Sequence, residues 1–343
     1  MNGDASHETL DTWLARGDLD ELIREVDRRA DRHDWHGVEE VARRSRAAIE
    51  RGHQLWPAAS FAEYRIALGA PAEIAASVVR EGAGWMAPGP LAEVVAQDHT
   101  FSDLRTHLEV GPLAAVVAGE RVLRGEEIAD DQPVAGELPG RLLDWEPRYL
   151  LASYAPDGFR FDTPEVADPT RMQTVELEAL DTAAMADPDA LDAASALHGA
   201  VAHWATRSAG TVRVSGVAGN HVDALAALGL TEARWREATP SEFATVLAWA
   251  AADGAANGRR RGAAAGRSEL WWCLVTLCGL DEQWPCDPGS DAAELRFGLW
   301  LPTEPVTGWS CRLTVEDPLD GLAWALDASE TAIETAIEVD RPI

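Results

Sequence analysis

Leu295-Arg296-Phe297-Gly298-Leu299-Trp300-Leu301 and, seven residues on, Trp309-Ser310-Cys311-Arg312-Leu313-Thr314-Val315-Glu316 decide how the second half of this chain is read. In the first run Leu295, Phe297, Leu299 and Leu301 alternate with Arg296, Gly298 and Trp300. In the second, Trp309, Cys311, Leu313 and Val315 alternate with Ser310, Arg312, Thr314 and Glu316. An apolar residue at every second position is the period of a strand. The link from Pro302 to Gly308 holds two prolines and a glycine, so the pair reads as a hairpin.

Upstream, further strands alternate with helices. Thr174 to Leu180 is predicted as a strand, with Val175, Leu177 and Ala179 on one face. Asp187-Pro188 opens a helix to Thr206, and Thr211 to Val217 is a second strand. Gly219 to Leu228 is a helix closed by Gly229, Thr231 to Ala238 a third strand, and Pro240 starts another helix. Glu269 to Leu280 is an apolar helix, and Asp317-Pro318 opens a last helix through Leu326. This order predicts a mixed sheet with packed helices, its first strands parallel through right-handed crossovers and its hairpin at an edge.

The first half reads as helical. Leu19 to Arg32 and Trp35 to Gly52 carry apolar residues at helical spacing, and their arginines have acids one turn earlier: Asp20 before Arg24, Glu25 before Arg29, Glu39 before Arg43, Glu40 before Arg44. Gly89-Pro90-Leu91-Ala92-Glu93-Val94-Val95-Ala96 recurs 22 residues later as Gly111-Pro112-Leu113-Ala114-Ala115-Val116-Val117-Ala118, with a looser copy from Ala70. Proline-started helices of this kind imply either a small helical array or an irregular bundle. The organisation expected is therefore α+β: a helical domain over 1–125, a proline-rich but ordered connection over 126–170, and a sheet domain of α/β character over 171–343.

Composition narrows the chemistry. The 343 residues carry 58 acids against 29 bases, a net charge of −29, which repels nucleic acid and anionic membrane surfaces. All the bases are arginine. Without lysine there is no Walker A loop, no kinase strand lysine and no Schiff base. No apolar run approaches the about 18 residues that span a bilayer, and Met1–Glu8 shows no secretory pattern, so a cytoplasmic protein is expected. Cys273, Cys278, Cys286 and Cys311 match neither a zinc ribbon nor a disulfide frame.

Four arginines, Arg259, Arg260, Arg261 and Arg267, lie in a stretch with no acid between Asp253 and Glu269. Their planar forks suit phosphate or carboxylate, and Gly258, Gly262 and Gly266 would let a ligand approach. Gly216, Gly219, Asn220 and His221 form a strand–turn–helix whose free N–H groups would attract the same anion. The competing expectation is that the arginines bridge to the acidic N-terminal half. His33, His36 and Glu40 could share a helical face, although Asp34-Trp35 interrupts it; no metal and no cofactor is expected. There is no GxSxG elbow.

Several stretches resemble an uncharacterised bacterial family defined by a domain of unknown function: Gln54-Leu55-Trp56-Pro57, Glu63 to Leu68, Gly82 to Phe101, Gly258 to Arg267, Trp284 to Pro288, and Thr307 to Leu326. The resemblance implies that the two halves form one unit, and it carries over no catalytic residue. The function expected is a non-catalytic binding protein whose helical half is the partner surface. The alternatives are an enzyme or sensor for a small anion held by Arg259–Arg267, and an acidic mimic that occupies a basic partner.

Overall fold

Asp18 begins the first well-packed helix, accepting the backbone N–H of Glu21 at 3.3 Å. In this computed structural model, residues 4–49, 52–165, 168–178, 187–304 and 307–330 are described. They divide into two compact units, Met1–Thr163 with Arg260–Ser268, and Pro164–Arg259 with Glu269–Ile343. The expected Ala179 and Leu180 lie outside the described residues.

The helical unit holds α1 (Asp4–Arg16), α2 (Leu19–Asp31), α3 (Trp35–Ile49), α4 (Trp56–Gly69), α5 (Ala72–Ser77), α6 (Leu91–Asp98), α7 (Phe101–Leu104) and α8 (Pro112–Leu123). Its core runs from Leu22, Val26, Val38 and Val41 through Ile66 to Val94, Val95 and Val117. The proline-led segments give α5, α6 and α8, of 6, 8 and 12 residues. Pro112 is inside its helix, while Pro71 and Pro90 cap theirs. A small ribbon, β1 (Ser153–Ala155) and β2 (Gly158–Arg160), is antiparallel, and Tyr154 from it enters the core. Of the predicted ion pairs, Glu25–Arg29 and Glu40–Arg44 form, and the other two arginines take shifted partners. Arg24 pairs with Glu21, and Arg43 with Glu40. Glu25 is buried and binds both Arg28 and Arg29, and Arg29 also donates to the Gly37 carbonyl at 2.9 Å, so this pair ties α2 to α3.

The sheet unit has six strands in the order β3-β5-β6-β7-β8-β4, formed by β3 (Gln173–Glu176), β4 (Thr211–Ala218), β5 (Glu232–Ala238), β6 (Arg296–Leu301), β7 (Trp309–Asp317) and β8 (Leu322–Glu330). Between them lie α9 (Leu191–Val201), α10 (His203–Thr206), α11 (His221–Ala227), α12 (Pro240–Ala252), most of α13 (Ala263–Leu277) and α14 (Gly289–Ala292). The expected β6–β7 hairpin forms, with Phe297 opposite Val315 and Leu299 opposite Leu313. One face packs on α12, where Phe297 meets Phe243 and Trp309 stacks on Trp249.

Three expectations are corrected. Every ladder of this sheet is antiparallel, so the first strands are not parallel neighbours; β4 pairs with β8 and β5 with β3 and β6. The hairpin is central rather than at an edge. The helix expected after Asp317 is instead a tight turn followed by β8. Asp317 Oδ1 accepts the N–H groups of Leu319 and Asp320, Gly321 donates to the Asp317 carbonyl, and Gly321 sits at φ +68°, which favours glycine. Ala323 and Ala325 then pack with α11 residues while the Trp324 indole donates to the Ala190 carbonyl before α9. A strand covered on both faces loses the polar alternation that marks strands.

Gly298, between Glu237 of β5 and Thr314 of β7, leaves room for the indole of Trp235, which donates to Thr314 at 2.9 Å. A Cβ there would lie 2.3 Å from Trp235 Nε1 and 2.4 Å from Thr314 Oγ1. Gly298→Ala is expected to lower stability by about 1–3 kcal/mol, read as a lower urea midpoint with an unchanged slope.

Candidate functional site

Two of the four arginines, Arg260 and Arg267, are buried inside the helical unit. Arg260 is 4% exposed and forks onto Glu93, with Nε 2.9 Å from Oε2 and Nη2 2.9 Å from Oε1. Its guanidinium lies 5.1 Å over the Phe161 ring. Glu93 also accepts the Tyr154 hydroxyl at 2.8 Å. Burial disfavours the charged guanidinium, but the Glu93 charge and hydrogen bonds outweigh it and raise the Arg260 pKa. Arg267 is 1% exposed; it forks onto Glu146 at 2.8 Å twice and donates to the carbonyls of Pro139 and Arg141. Burial works against the Glu146 charge, and the Arg267 bonds more than offset it, so the Glu146 pKa is lowered.

Between these two pairs the chain passes a third buried carboxylate. Glu120 accepts the Ala264 N–H at 2.7 Å and Arg124 Nη1 at 2.8 Å. Gly262 sits at φ +103°, and a Cβ on it would be 3.0 Å from Glu120 Oε1 and 3.7 Å from Glu93 Oε2. The segment 260–268 is thus seated on Glu93, Glu120 and Glu146. Arg261 is half-buried in the same unit; Arg259 is exposed and falls in the other.

The second predicted constellation lies in the sheet unit. At the start of α11 the Asn220 side chain accepts the Val222 N–H at 2.8 Å, and Asp223 accepts the Asn220 N–H at 2.9 Å. The His221 N–H donates to Glu316 at 2.7 Å; the His221 ring also contacts Glu316 and stacks on Trp235 with centroids 4.0 Å apart. The Gly219 N–H donates to the Gly321 carbonyl at 2.8 Å, so the donors of Gly219, Asn220 and His221 are all taken within the protein. Gly216 lies within β4, where a Cβ would be 3.0 Å from Ala190 O and from Trp324 Cδ1, so its smallness serves packing. The remaining candidates are separate. His33 is in the turn before α3 at φ +59°, outside the helix that carries His36 and Glu40, and His36 pairs with Glu39. Among the described residues no group of three or more His, Cys, Asp or Glu could hold a metal.

A site missed by the sequence reading lies on the helical unit. Glu63 of α4 is fully buried, and four donors converge on it: Arg46 Nε at 2.6 Å, Arg46 Nη2 at 2.7 Å, Arg80 Nη2 at 2.8 Å and the Gly84 N–H at 2.7 Å. This cluster forms the floor of a groove of about 640 Å³ walled by His36, Glu39, Glu40 and Arg43. One turn back along α4, Ser60 accepts the Met86 N–H at 3.2 Å, and another turn back Trp56 lies under Arg46 at 5.8 Å. The loop residues 84–86 therefore run beside α4 from Glu63 toward Trp56. They leave Trp85 68% and Met86 56% exposed, with Trp56 at 37%. One signal was available: Arg46, unlike Arg24, Arg29, Arg43 and Arg44, has Ala42 and Arg43 one turn earlier instead of an acid.

Together these features describe an α+β protein whose helical unit buries several glutamate–arginine pairs and presents a groove lined by Arg43, Arg46 and Arg80 together with Glu39 and Glu40. The chain belongs to a family of unknown function (DUF6183), whose model matches residues 20–315 and so takes in both the groove and the 260–268 segment. No curated protein and no solved structure matches it.

Arg267→Ala strands the Glu146 carboxylate in the interior and is expected to cost about 3–5 kcal/mol, seen as a lowered melting temperature in calorimetry. Glu120 supplies a pH dependence. Burial first, and the Glu93 charge second, push its carboxyl up to about 7 against the lowering effect of Arg124 and the Ala264 N–H; Arg260 and Tyr154 also face this group. A folded-state value above the unfolded one means that the folded chain holds a proton the unfolded chain has released. The stability this proton supplies is full below the unfolded value of 4.5 and lost as the pH rises through about 7. Wild-type melting temperature is expected to fall between about pH 5 and about pH 7.5, and Glu120→Gln is expected to flatten most of that fall.

Proposed function

We propose that the protein is a non-catalytic binding protein whose helical unit is the partner surface. One observation carries this reading: Trp85 and Met86 stand exposed beside half-exposed Trp56 and the Arg46–Arg80 groove. Tryptophan, methionine and arginine are the residue types enriched where proteins meet, and exposed clusters of large apolar side chains are rare on surfaces without a partner. On this reading the protein works in the cytoplasm, which suits its four free cysteines. No described helix is long and apolar enough to cross a membrane. The alternative of a small anion held at Arg260 and Arg267 has less support, because carboxylates and carbonyls of the protein already occupy those guanidiniums.

The test is comparative capture from lysate of the native host by immobilised wild type and by the double variant Trp85→Ala, Met86→Ala. A protein held by wild type and reduced by about tenfold or more with the variant is expected, a loss of about 1.4 kcal/mol or more of binding, with the two melting temperatures equal. Identical captured sets would refute the proposal. Basic proteins that leave both baits as salt is raised would indicate the acidic mimic instead.

A further inference from the structure

The groove floor holds more cation than anion. Arg46 and Arg80 both bind Oε1 of Glu63, and Arg46 also binds Oε2. Among the described residues, Glu63 is the one carboxylate within ion-pair distance of these two guanidiniums. Two positive charges therefore share one negative charge. Of the wall acids, Glu40 is engaged by Arg43 and Arg44, and Glu39 meets the His36 ring and the Ser77 hydroxyl, so the excess of cation is confined to the floor. Glu63 itself is fully buried, so on the floor, between the carboxylates of Glu39 and Glu40, the exposed groups are guanidinium. Arg80 is 46% exposed along its side chain and Arg46 24%. Nε and Nη1 of Arg80 and Nη1 of Arg46 have no acceptor among the described residues.

Resting on the partner-surface reading above, we infer that this groove docks a segment of a partner protein in which an aspartate or glutamate side chain sits beside an apolar one. The carboxylate is received by the outward donors of Arg46 and Arg80, and the apolar side chain lies against Trp85, Met86 and Trp56. Guanidinium prefers carboxylate because two parallel N–H donors match its two oxygens. Glu63 supplies what this needs in the free protein, holding both guanidiniums in place and leaving the surplus charge unneutralised. The net charge of −29 opposes an acidic partner at long range, but at physiological salt that field is screened beyond about 8 Å, whereas the docked carboxylate is in contact. A single acidic residue in an apolar setting is therefore favoured over a run of acids.

The experiment probes the full chain against two arrays of immobilised decapeptides. In one, a single Asp or Glu lies within two residues of Leu, Phe or Trp; in the other, Asn or Gln replaces the acid. Expected are acidic peptides bound about tenfold or more tighter than their amide counterparts, with binding lost about tenfold in Arg80→Gln and in Trp85→Ala. Both positions are exposed, and unchanged melting temperatures establish that both variants fold. Equal binding to the two arrays, or acidic binding that Arg80→Gln leaves intact, overturns the inference while a Trp85→Ala loss preserves the partner-surface reading. No peptide binding, displacement of bound peptide by millimolar phosphate alone, or concentration-dependent dimerisation abolished by Trp85→Ala each overturns it as well, the last identifying a second copy of the chain as the occupant.

Discussion

A guanidinium fork closed on a buried glutamate is the interaction on which the helical unit depends. It recurs three times with the same geometry, two nitrogens on two oxygens: Arg46 on Glu63, Arg260 on Glu93 and Arg267 on Glu146. A carboxylate moved from water into a protein interior costs several kcal/mol unless it is paired and its remaining lone pairs are filled. Here they are filled, by the Gly84 N–H and Arg80 at Glu63, by Tyr154 at Glu93, and by Tyr149 and the Leu143 N–H at Glu146. Lysine could not substitute, since its ammonium is a point charge without the planar fork. The all-arginine composition, which at first only excludes chemistries, is thus also compatible with the interior.

The pairs differ in what they leave over. Arg260 on Glu93 and Arg267 on Glu146 are forks closed in the interior, with both side chains of each pair almost fully buried. At Glu63 two arginines meet one carboxylate beside an open groove, and the surplus is directed outward. At Glu120 the imbalance runs the other way: a second carboxylate close to Glu93 has only Arg124 and a backbone N–H for support, and it responds by holding its proton.

What could be read in the sequence follows from the range of the interaction that shapes it. The β6–β7 hairpin and helices α2 and α3 depend on residues two to four apart, and their periodicity gave them directly. Strand direction does not leave a periodic trace, so the order of elements suggests parallel crossovers where the sheet is antiparallel. β8 carries no strand signal because Ala323, Trp324, Ala325 and Leu326 are all buried, with no polar face to show the period of two. The arginine stretch was recognised as needing partners, but Glu93 lies 167 residues from Arg260 and Glu146 lies 121 from Arg267. The groove draws on Arg46, Glu63, Arg80 and Trp85, four segments that only the fold brings together.

The placement of residues 260–268 within the helical unit has a consequence for synthesis of the chain. Residues 1–163 emerge from the ribosome with Glu93 and Glu146 still lacking their cations and Glu120 lacking the Ala264 N–H. At about 5–20 residues per second, the missing segment follows on the order of ten seconds later. During that interval the helices can collapse but cannot close their interior, so the first half of this protein must wait for the second before it is finished.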